Sequence, residues 1–152
     1  MKEKIIKLMG EIIGSGNGIY HVDNLEAYVD KVIKHGCIIS IAENDALKAF
    51  MAYYANNHES KEAFMSMAIV APDARRFGYG RRLVEFCLTD LFFKGFKKCR
   101  TEVHHLNQAA LNVLKKSGFV EYARKESFIL LEKNVGVLHG TCATCANTTK
   151  PV

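Results

Sequence analysis

Apolar residues recur with helical spacing at the start of the chain. The pattern over residues 2–13 predicts an amphipathic helix, and the glycine-rich stretch GSGNG at 14–18 predicts its end. A second helix is expected to begin near Asp23 or Asn24, either of which is a good helix cap, and to end at Gly36. The positions expected to face inward in these two helices are Ile5, Ile6, Met9, Ile12, Ile13, Leu25, Tyr28, Val29, Val32 and Ile33.

The pattern then changes to that of extended strands. Three strands are predicted, with the sequences CIISIAE (37–43), LKAFMAYYA (47–55) and EAFMSMAIVA (62–71). Asn44 and Asp45 predict a turn, which would join the first two strands as a hairpin. The third strand becomes continuously apolar toward Val70, as is typical of a central strand, and Pro72 stops it.

Helices and strands alternate in the rest of the chain. The remaining predicted elements are a helix at 78–93, a strand at 98–103, a helix at 107–116 and two short strands at 119–123 and 127–132. The first of these helices is expected to bury Leu83, Phe86, Cys87 and Leu91. This order of elements predicts an α/β (α+β) fold, in which helices flank a mixed β-sheet. Residues 1–133 are predicted to form one domain, and residues 134–152, which lack periodicity, a flexible tail.

Composition and charge limit the possible classes of function. No apolar run approaches the roughly 20 residues that span a bilayer, and the N-terminus does not resemble a signal peptide, so a cytoplasmic protein without a membrane partner is expected. The net charge of +5 suits an anionic cofactor or substrate as well as nucleic acid. Cys37, Cys87 and Cys99 lie in apolar or mixed segments, where reduced buried thiols are expected.

The stretch ARRFGYGRRL, from Ala74 to Leu83, stands where a strand is predicted to pass into a helix. A helix start has unpaired N–H groups and a partial positive charge, and it therefore binds phosphate. Gly78 and Gly80 would let an anion approach the backbone, and four arginines add positive charge. A Walker loop is absent, and GSGNG at 14–18 follows a helical pattern rather than the strand of a dinucleotide fold. A tight turn beside a solvated basic face is the alternative.

Three motifs stand at consistent spacing in and around this stretch. They are R-x-x-G-x-G at 75–80, V-A-P at 70–72, and N-Q-A-A-L followed by K-S-G-F within 107–119. They resemble, in turn, the [QR]-x-x-G-x-[GA] loop, the V-x-P strand end and the N-x-x-A-x-x-x-Y-x-x-x-G-F element of the GNAT superfamily of acyl-CoA N-acyltransferases. The resemblance runs from about Gly36 to Glu132 and so covers most of the chain.

The resemblance implies a fold, an acyl donor and a set of binding residues. The fold would be a splayed mixed β-sheet with acetyl-CoA in the gap between strands. A strand backbone would pair with the pantetheine arm, the loop amides would cradle the pyrophosphate, and Asn107 would help to hold the arm. The cofactor-binding residues implied in this way are Ala68, Ile69, Val70, Arg75, Arg76, Phe77, Gly78, Tyr79, Gly80, Arg81 and Asn107.

In this family an amine attacks the thioester directly, so the protein has few chemical tasks. An alkylamine with a pKa of about 10 needs a proton acceptor at neutral pH. The candidate bases are Glu62, which opens the third strand, Glu102, on the strand expected across the cleft, and His104, where that strand ends. Bulk water acting through a short relay is a further alternative.

The family often places a tyrosine beside the departing sulfur, and this sequence lacks it. The corresponding position is Leu114, which has no proton to donate. Ser117, Tyr53, Tyr54 or an ordered water are the alternatives. The reaction can also run without a dedicated acid, because a thiol with a pKa near 8.5 leaves tolerably well as thiolate.

The tail contains the motif H-x-x-C-x-x-C, formed by His139, Cys142 and Cys145. A tetrahedral zinc site usually has four protein ligands, and no second pair of cysteine or histidine residues stands nearby. No metal is therefore expected.

The resemblance and the residues together favour an N-acetyltransferase. The predicted reaction moves an acetyl group from acetyl-CoA to a primary amine of a small molecule or a peptide, in a monomer or a homodimer. The alternative is a non-catalytic acyl-CoA-binding module of the same fold, which the leucine at position 114 suggests. A nucleic-acid-binding domain is not expected, because the densest basic cluster coincides with a glycine turn rather than a stripe with interleaved aromatic residues.

Overall fold

Helices and strands follow one another in the predicted order in this computed structural model, which describes residues 1–15 and 19–136. The helices are α1 (Lys2–Gly14), α2 (Leu25–His35), α3 (Tyr79–Phe93) and α4 (Gln108–Lys116), with a short 3₁₀ turn at Pro72–Ala74. The strands are β1 (Cys37–Glu43), β2 (Ala46–Asn57), β3 (Glu62–Val70), β4 (Lys98–His104), β5 (Val120–Lys125) and β6 (Phe128–Asn134). Of the predicted tail at 134–152, residues 134–136 are described: Asn134 ends β6 and Val135 is buried. The rest of the predicted tail, with its cysteine motif, lies outside the described residues.

The six strands form one mixed sheet, in the order β1-β2-β3-β4-β6-β5. All neighbouring strands are antiparallel except β3 and β4, which are parallel. These two central strands pair only over Glu62–Met65 and Lys98–Thr101. Beyond Met65 and Thr101 they separate, so the sheet is splayed at its centre. The predicted fold class, a splayed mixed sheet flanked by helices, is confirmed.

A β-bulge and a side-chain hydrogen bond mark the point where the central strands separate. Ala52 of β2 pairs with Met67, whereas Tyr53 pairs with Met65, so Ser66 is an extra residue in β3. A bulge of this kind bends the strand and breaks its ladder of hydrogen bonds. On the other side of β3, the buried Thr101 hydroxyl donates to the Met65 carbonyl at 3.0 Å. β3 therefore leaves β4 at a defined residue.

Helices cover the two faces of the sheet in pairs. The Tyr53 hydroxyl donates to Asp90 of α3, whereas the ring of Tyr54 lies 3.2 Å from a Cβ built on Gly36, at the end of α2. Because neighbouring residues of a strand point to opposite faces, α3 and α2 lie on opposite faces. α1 packs with α2, and α4 packs with α3. Among the described residues, no helix is long and apolar enough to cross a bilayer.

Two residues expected in the core are instead at the surface. Ile33 is 49% exposed and Phe86 is 50% exposed. The residues that α3 buries are Tyr79, Leu83, Val84, Cys87, Leu88 and Leu91, which at about 100° per residue lie on one side of the helix. Phe86 falls outside that side, and α2 likewise buries Val29 and Val32 and leaves Ile33 exposed. Cys87 and Cys99 are buried free thiols, as expected, and Cys37 is a half-buried one.

Thr101→Val is expected to destabilise the protein by about 1–2 kcal/mol, because it leaves the buried Met65 carbonyl without its hydrogen bond. Valine keeps the shape of the side chain, so the change tests the bond rather than the packing. Thr89→Val is the matched control, since Thr89 is exposed on α3. Urea unfolding of both variants measures the difference, and equal stabilities would show that this bond does not hold the strands at their branch.

Candidate functional site

The loop between β3 and α3 has the backbone geometry that its glycines predict. Gly78 is the N-cap of α3 and has the left-handed φ of +76°. Arg76 also has a positive φ, of +70°, although it carries a side chain. The first hydrogen bond of α3 runs from the Arg82 N–H to the Gly78 carbonyl at 3.0 Å. The N–H groups of residues 79–81 precede that bond, so they are the unpaired donors of a helix start.

Positive charge surrounds these donors. Arg75 and Arg76 are exposed and form no ion pair with any residue in the described ranges. Arg81 pairs with Glu85 at 3.0 Å, and the Arg82 guanidinium lies 5.5 Å from the centre of the Tyr79 ring. A Cβ built on Gly78 would meet nothing within 4 Å. The loop therefore presents open space, N–H donors and positive charge together, which suits a phosphate group.

The second half of β3 has one unpaired edge. Its pairing with β2 continues to Val70, whereas its pairing with β4 ends at Met65. Ile69 is buried, and Ala68 and Val70 are half-buried. The predicted strand residues 68–70 therefore line the gap that opens between β3 and β4, directly before the arginine-rich loop. An extended amide chain can bind such an edge with backbone hydrogen bonds.

Asn107 lies at the far side of this gap, at the start of α4. Its side-chain oxygen accepts from the Ala110 N–H at 3.2 Å and so caps the helix. Its amide nitrogen donates to the Tyr20 hydroxyl at 3.2 Å, and that hydroxyl donates to the Ala68 carbonyl at 3.3 Å. Tyr20 was not among the sequence-predicted residues. Its only signal was its place in the segment between the first two helices.

The three candidate bases lie on or beside the central strands but have different partners. Glu62 opens β3 where it still pairs with β4, and its carboxylate lies 3.8 Å from the Arg100 guanidinium. The His104 ring stacks on His105, and its Nδ1 accepts from the Leu106 N–H at 3.2 Å. Both candidates are thus already engaged in local contacts.

Glu102 lies one residue beyond the last parallel pair, at the mouth of the gap. It is exposed and has no ion-pair partner within residues 1–15 and 19–136. Its neighbours Thr101 and Val103 are buried. Alternation along β4 turns Glu102 away from Cys99, whose thiol contacts Cys87 of α3, so Glu102 lies on the face that α2 shares.

Ser117, Tyr53 and Tyr54 are the alternatives to Leu114 as donors of a proton to the departing sulfur, and none of them is well placed for this. Leu114 and Ser117 are both buried in α4 or at its end. Tyr53 donates to Asp90 on the α3 side, and burial raises its pKa. Tyr54 belongs to the part of β2 that pairs with Phe64, before the bulge.

A second phenol, that of Tyr28, lies at the bulge itself. Its hydroxyl is 2.8 Å from the Ser66 hydroxyl, and burial raises its pKa. Tyr28 belongs to α2, so this contact joins the helix to the branch point of the sheet. The helical pattern of the sequence predicts Tyr28 in the core and indicates no part for it in the site.

No cluster able to hold a metal occurs among the described side chains, and His139, Cys142 and Cys145 lie outside the described ranges. A surface depression of about 620 Å³ lies between α1, the β1–β2 turn and Pro72. None of the predicted site residues lines it. The predicted strand residues 68–70 and Asn107 border the gap between β3 and β4 instead.

Comparisons with known proteins agree with this geometry. The model of the acetyltransferase (GNAT) family matches residues 5–119. Among solved structures, the chain is similar to the ribosomal-protein-S18-alanine N-acetyltransferase of Escherichia coli, with 18% identity, a TM-score of 0.71, and coverage of 90% of this chain and 92% of that chain. It is also similar to the PaiA N-acetyltransferase of Thermoplasma acidophilum in complex with coenzyme A, with 17% identity, a TM-score of 0.72 and coverage of 88% and 92%.

At these identities the structural likeness shows the fold alone, and no curated protein matches the chain by sequence. The family match is independent of that likeness and carries the assignment. It extends from α1 to the residue before β5, and it includes the bulge, the arginine-rich loop and Asn107. Since the matched segment is well over half of the chain, the protein belongs to the acetyltransferase (GNAT) family.

Proposed function

We propose that the protein transfers an acetyl group from acetyl-CoA to a primary amine of a small molecule or a peptide, by direct attack within a ternary complex. The observation that carries this proposal is the position of the α3 N-terminus beside the unpaired edge of β3. A diphosphate and an extended amide arm need these two features at adjacent places. The coenzyme A bound to the Thermoplasma relative is consistent with the same ligand class here.

Each part of acetyl-CoA has a candidate partner in this arrangement. The pyrophosphate would bind the amides of residues 75–81, where Gly78 leaves open space and Arg75 and Arg76 are free of ion pairs among the described residues. The pantetheine arm would bind the backbone of residues 68–70. The thioester would then lie near the bulge at Ser66, where a strand has backbone groups outside its regular ladder.

Glu102 is the proposed base among the three carboxylate and imidazole candidates. The task requires a group that can accept a proton from the attacking amine at the mouth of the gap. Glu102 is exposed there without an ion-pair partner among the described residues, whereas Glu62 faces Arg100 and His104 accepts a backbone hydrogen bond. These contacts favour Glu102.

The acceptor lies on the α2 side of the sheet in this proposal. That face carries three exposed aromatic residues: Phe64 and Tyr122 lie at Arg100 and Phe128 lies at His104, which are the positions two residues before and after Glu102 in β4. The Escherichia coli relative acts on an alanine of a ribosomal protein. A peptide amine is therefore one class of acceptor to test here, together with small alkylamines. A cytoplasmic location and the absence of a nucleic-acid partner remain predictions.

Acetyl-CoA is expected to stabilise the protein against heat, and an amine from a panel is expected to release free thiol from it. Acetyl-CoA at 100 times its dissociation constant should add about 2.7 kcal/mol of stability. The panel would contain alkylamines, polyamines and short peptides with a free N-terminus. Boiled enzyme and coenzyme A without the acetyl group are the controls.

The alternative, a non-catalytic acyl-CoA-binding module, rests on the buried aliphatic side chain at Leu114. The same experiment separates the two functions. Stabilisation by acetyl-CoA without thiol release from any amine favours the module. Absence of stabilisation by both acetyl-CoA and coenzyme A contradicts both functions.

A further inference from the structure

The Tyr20 hydroxyl lies in the gap between β3 and the start of α4. It donates to the Ala68 carbonyl at 3.3 Å and accepts from the Asn107 amide at 3.2 Å. Tyr20 itself belongs to neither element, since it precedes α2 in the segment that follows α1. The half-buried side chain of Tyr20 thus connects the segment between α1 and α2 to both β3 and α4. Its two partners are the groups to which the proposed function assigns the pantetheine arm.

We propose that Tyr20 donates the proton that the departing thiolate of coenzyme A takes up, in the role that Leu114 cannot fill. This inference rests on the proposed function. The pantetheine arm has two amides, and the one nearer the thioester is separated from the sulfur by two carbon atoms. In the proposed function this amide binds near Ala68. A phenol anchored beside Ala68 and Asn107 is therefore within short reach of the sulfur, at the start of α4.

The proposed step balances as follows. The amine nitrogen attacks the thioester carbon, and a C–N bond forms. The C–S bond then breaks, its electron pair goes to sulfur, and sulfur takes the proton of the Tyr20 hydroxyl. The nitrogen gives its extra proton to Glu102 or to water, and the phenolate recovers a proton from solvent. The products are one amide and one thiol.

The surroundings of the hydroxyl favour this exchange in both directions. Burial raises the pKa of Tyr20, so the phenol keeps its proton at neutral pH. The N–H of Asn107 and the positive charge of Arg75 act in the opposite sense and lower that pKa. They would stabilise the phenolate at the moment when the proton leaves. Among the described residues, Arg75 is the charged group that acts on the pKa of this hydroxyl.

The test is Tyr20→Phe, measured as thiol release with saturating acetyl-CoA and the amine that the wild-type protein uses best. We expect kcat to fall by about 100-fold, at the low end of general acid catalysis, because a thiolate leaves tolerably well unaided. Binding of acetyl-CoA should change little. The wild-type kcat should also fall at a pH above the ordinary tyrosine range of about 10, where the phenol loses its proton, and the variant should lack this alkaline fall.

Tyr53→Phe is the matched control. It removes another phenol with a hydrogen bond, but one that contacts Asp90 on the α3 side of the sheet. Its kcat and its pH profile should remain those of the wild type. Should Tyr20→Phe fail to fold, a fluorotyrosine incorporated at position 20 keeps the ring and makes the phenol more acidic. The alkaline fall should then move to lower pH.

Each outcome decides something different. If the wild-type protein releases no thiol with any amine, the proposed function and the role of Tyr20 both fail. If it does release thiol and Tyr20→Phe keeps kcat within twofold, only the role of Tyr20 fails. A lower kcat with the alkaline fall intact also overturns proton donation, since the hydroxyl then acts only through its hydrogen bonds to Ala68 and Asn107. Tighter binding of acetyl-CoA to the variant with an unchanged kcat would identify Tyr20 as an occupant of the arm's place.

Discussion

Gly78→Glu is expected to abolish the thermal stabilisation by acetyl-CoA. Gly78 is the N-cap of α3, and a Cβ there points into space that is open for at least 4 Å. A glutamate would place its carboxylate among the N–H groups that precede the first bond of the helix, where the partial positive charge favours an anion. The carboxylate would then occupy and repel the place of the pyrophosphate. The gain of about 2.7 kcal/mol expected for the wild-type protein should disappear.

The same substitution also strains the backbone, and the control must reproduce that effect. Gly78 has a φ of +76°, and a residue with a side chain in this conformation costs about 1–2 kcal/mol. Gly95, which follows α3, has a φ of +80° and likewise meets nothing within 4 Å. Gly95→Glu should lower the melting temperature by a similar amount and keep the full shift with acetyl-CoA. A preserved shift in Gly78→Glu would show that the anion binds elsewhere.

The sequence predicted the helices and strands well because helix caps and turns are determined by residues close together in the chain. Asn24 caps α2 by accepting from the Ala27 N–H at 2.9 Å, and Asn44 and Asp45 adopt positive φ values of 49° and 63° in the predicted turn. Such caps and turns depend on residues a few positions apart. The resemblance to the family then supplied the splayed sheet, which no single segment encodes.

The features that the sequence did not reveal depend on residues far apart in the chain. The bulge at Ser66 is visible only when β2 and β3 are aligned. Tyr20 contacts Ala68, which lies 48 positions further along the chain, and Asn107, which lies 87 positions further. The ion pair of Glu62 with Arg100 exists because two parallel strands bring them together. Such contacts give the three candidate bases different surroundings, which their positions in the sequence do not show.

Glu102→Gln is expected to lower kcat by about 1,000-fold without weakening the binding of acetyl-CoA. Glutamine keeps the size of the side chain but does not accept a proton. An alkylamine with a pKa of about 10.4 is protonated in all but about one molecule in a thousand near neutral pH. A base at the mouth of the gap that accepts the proton of the attacking amine contributes about 10²- to 10⁴-fold in general base catalysis, and a loss of about 1,000-fold is the middle of that range.

Thiol release under saturating acetyl-CoA measures this loss, and thermal stabilisation by acetyl-CoA shows that the binding site is intact. Glu121→Gln is the control, because Glu121 forms an exposed ion pair with Arg124 at 2.6 Å on the edge strand β5. Glu62→Gln and His104→Asn compare the other two candidates directly. If either of them lowers kcat more than Glu102→Gln does, the base is misassigned. If all three variants stay within tenfold of the wild type, none of these side chains is the base. Water that reaches the mouth of the gap beside Glu102 then accepts the proton.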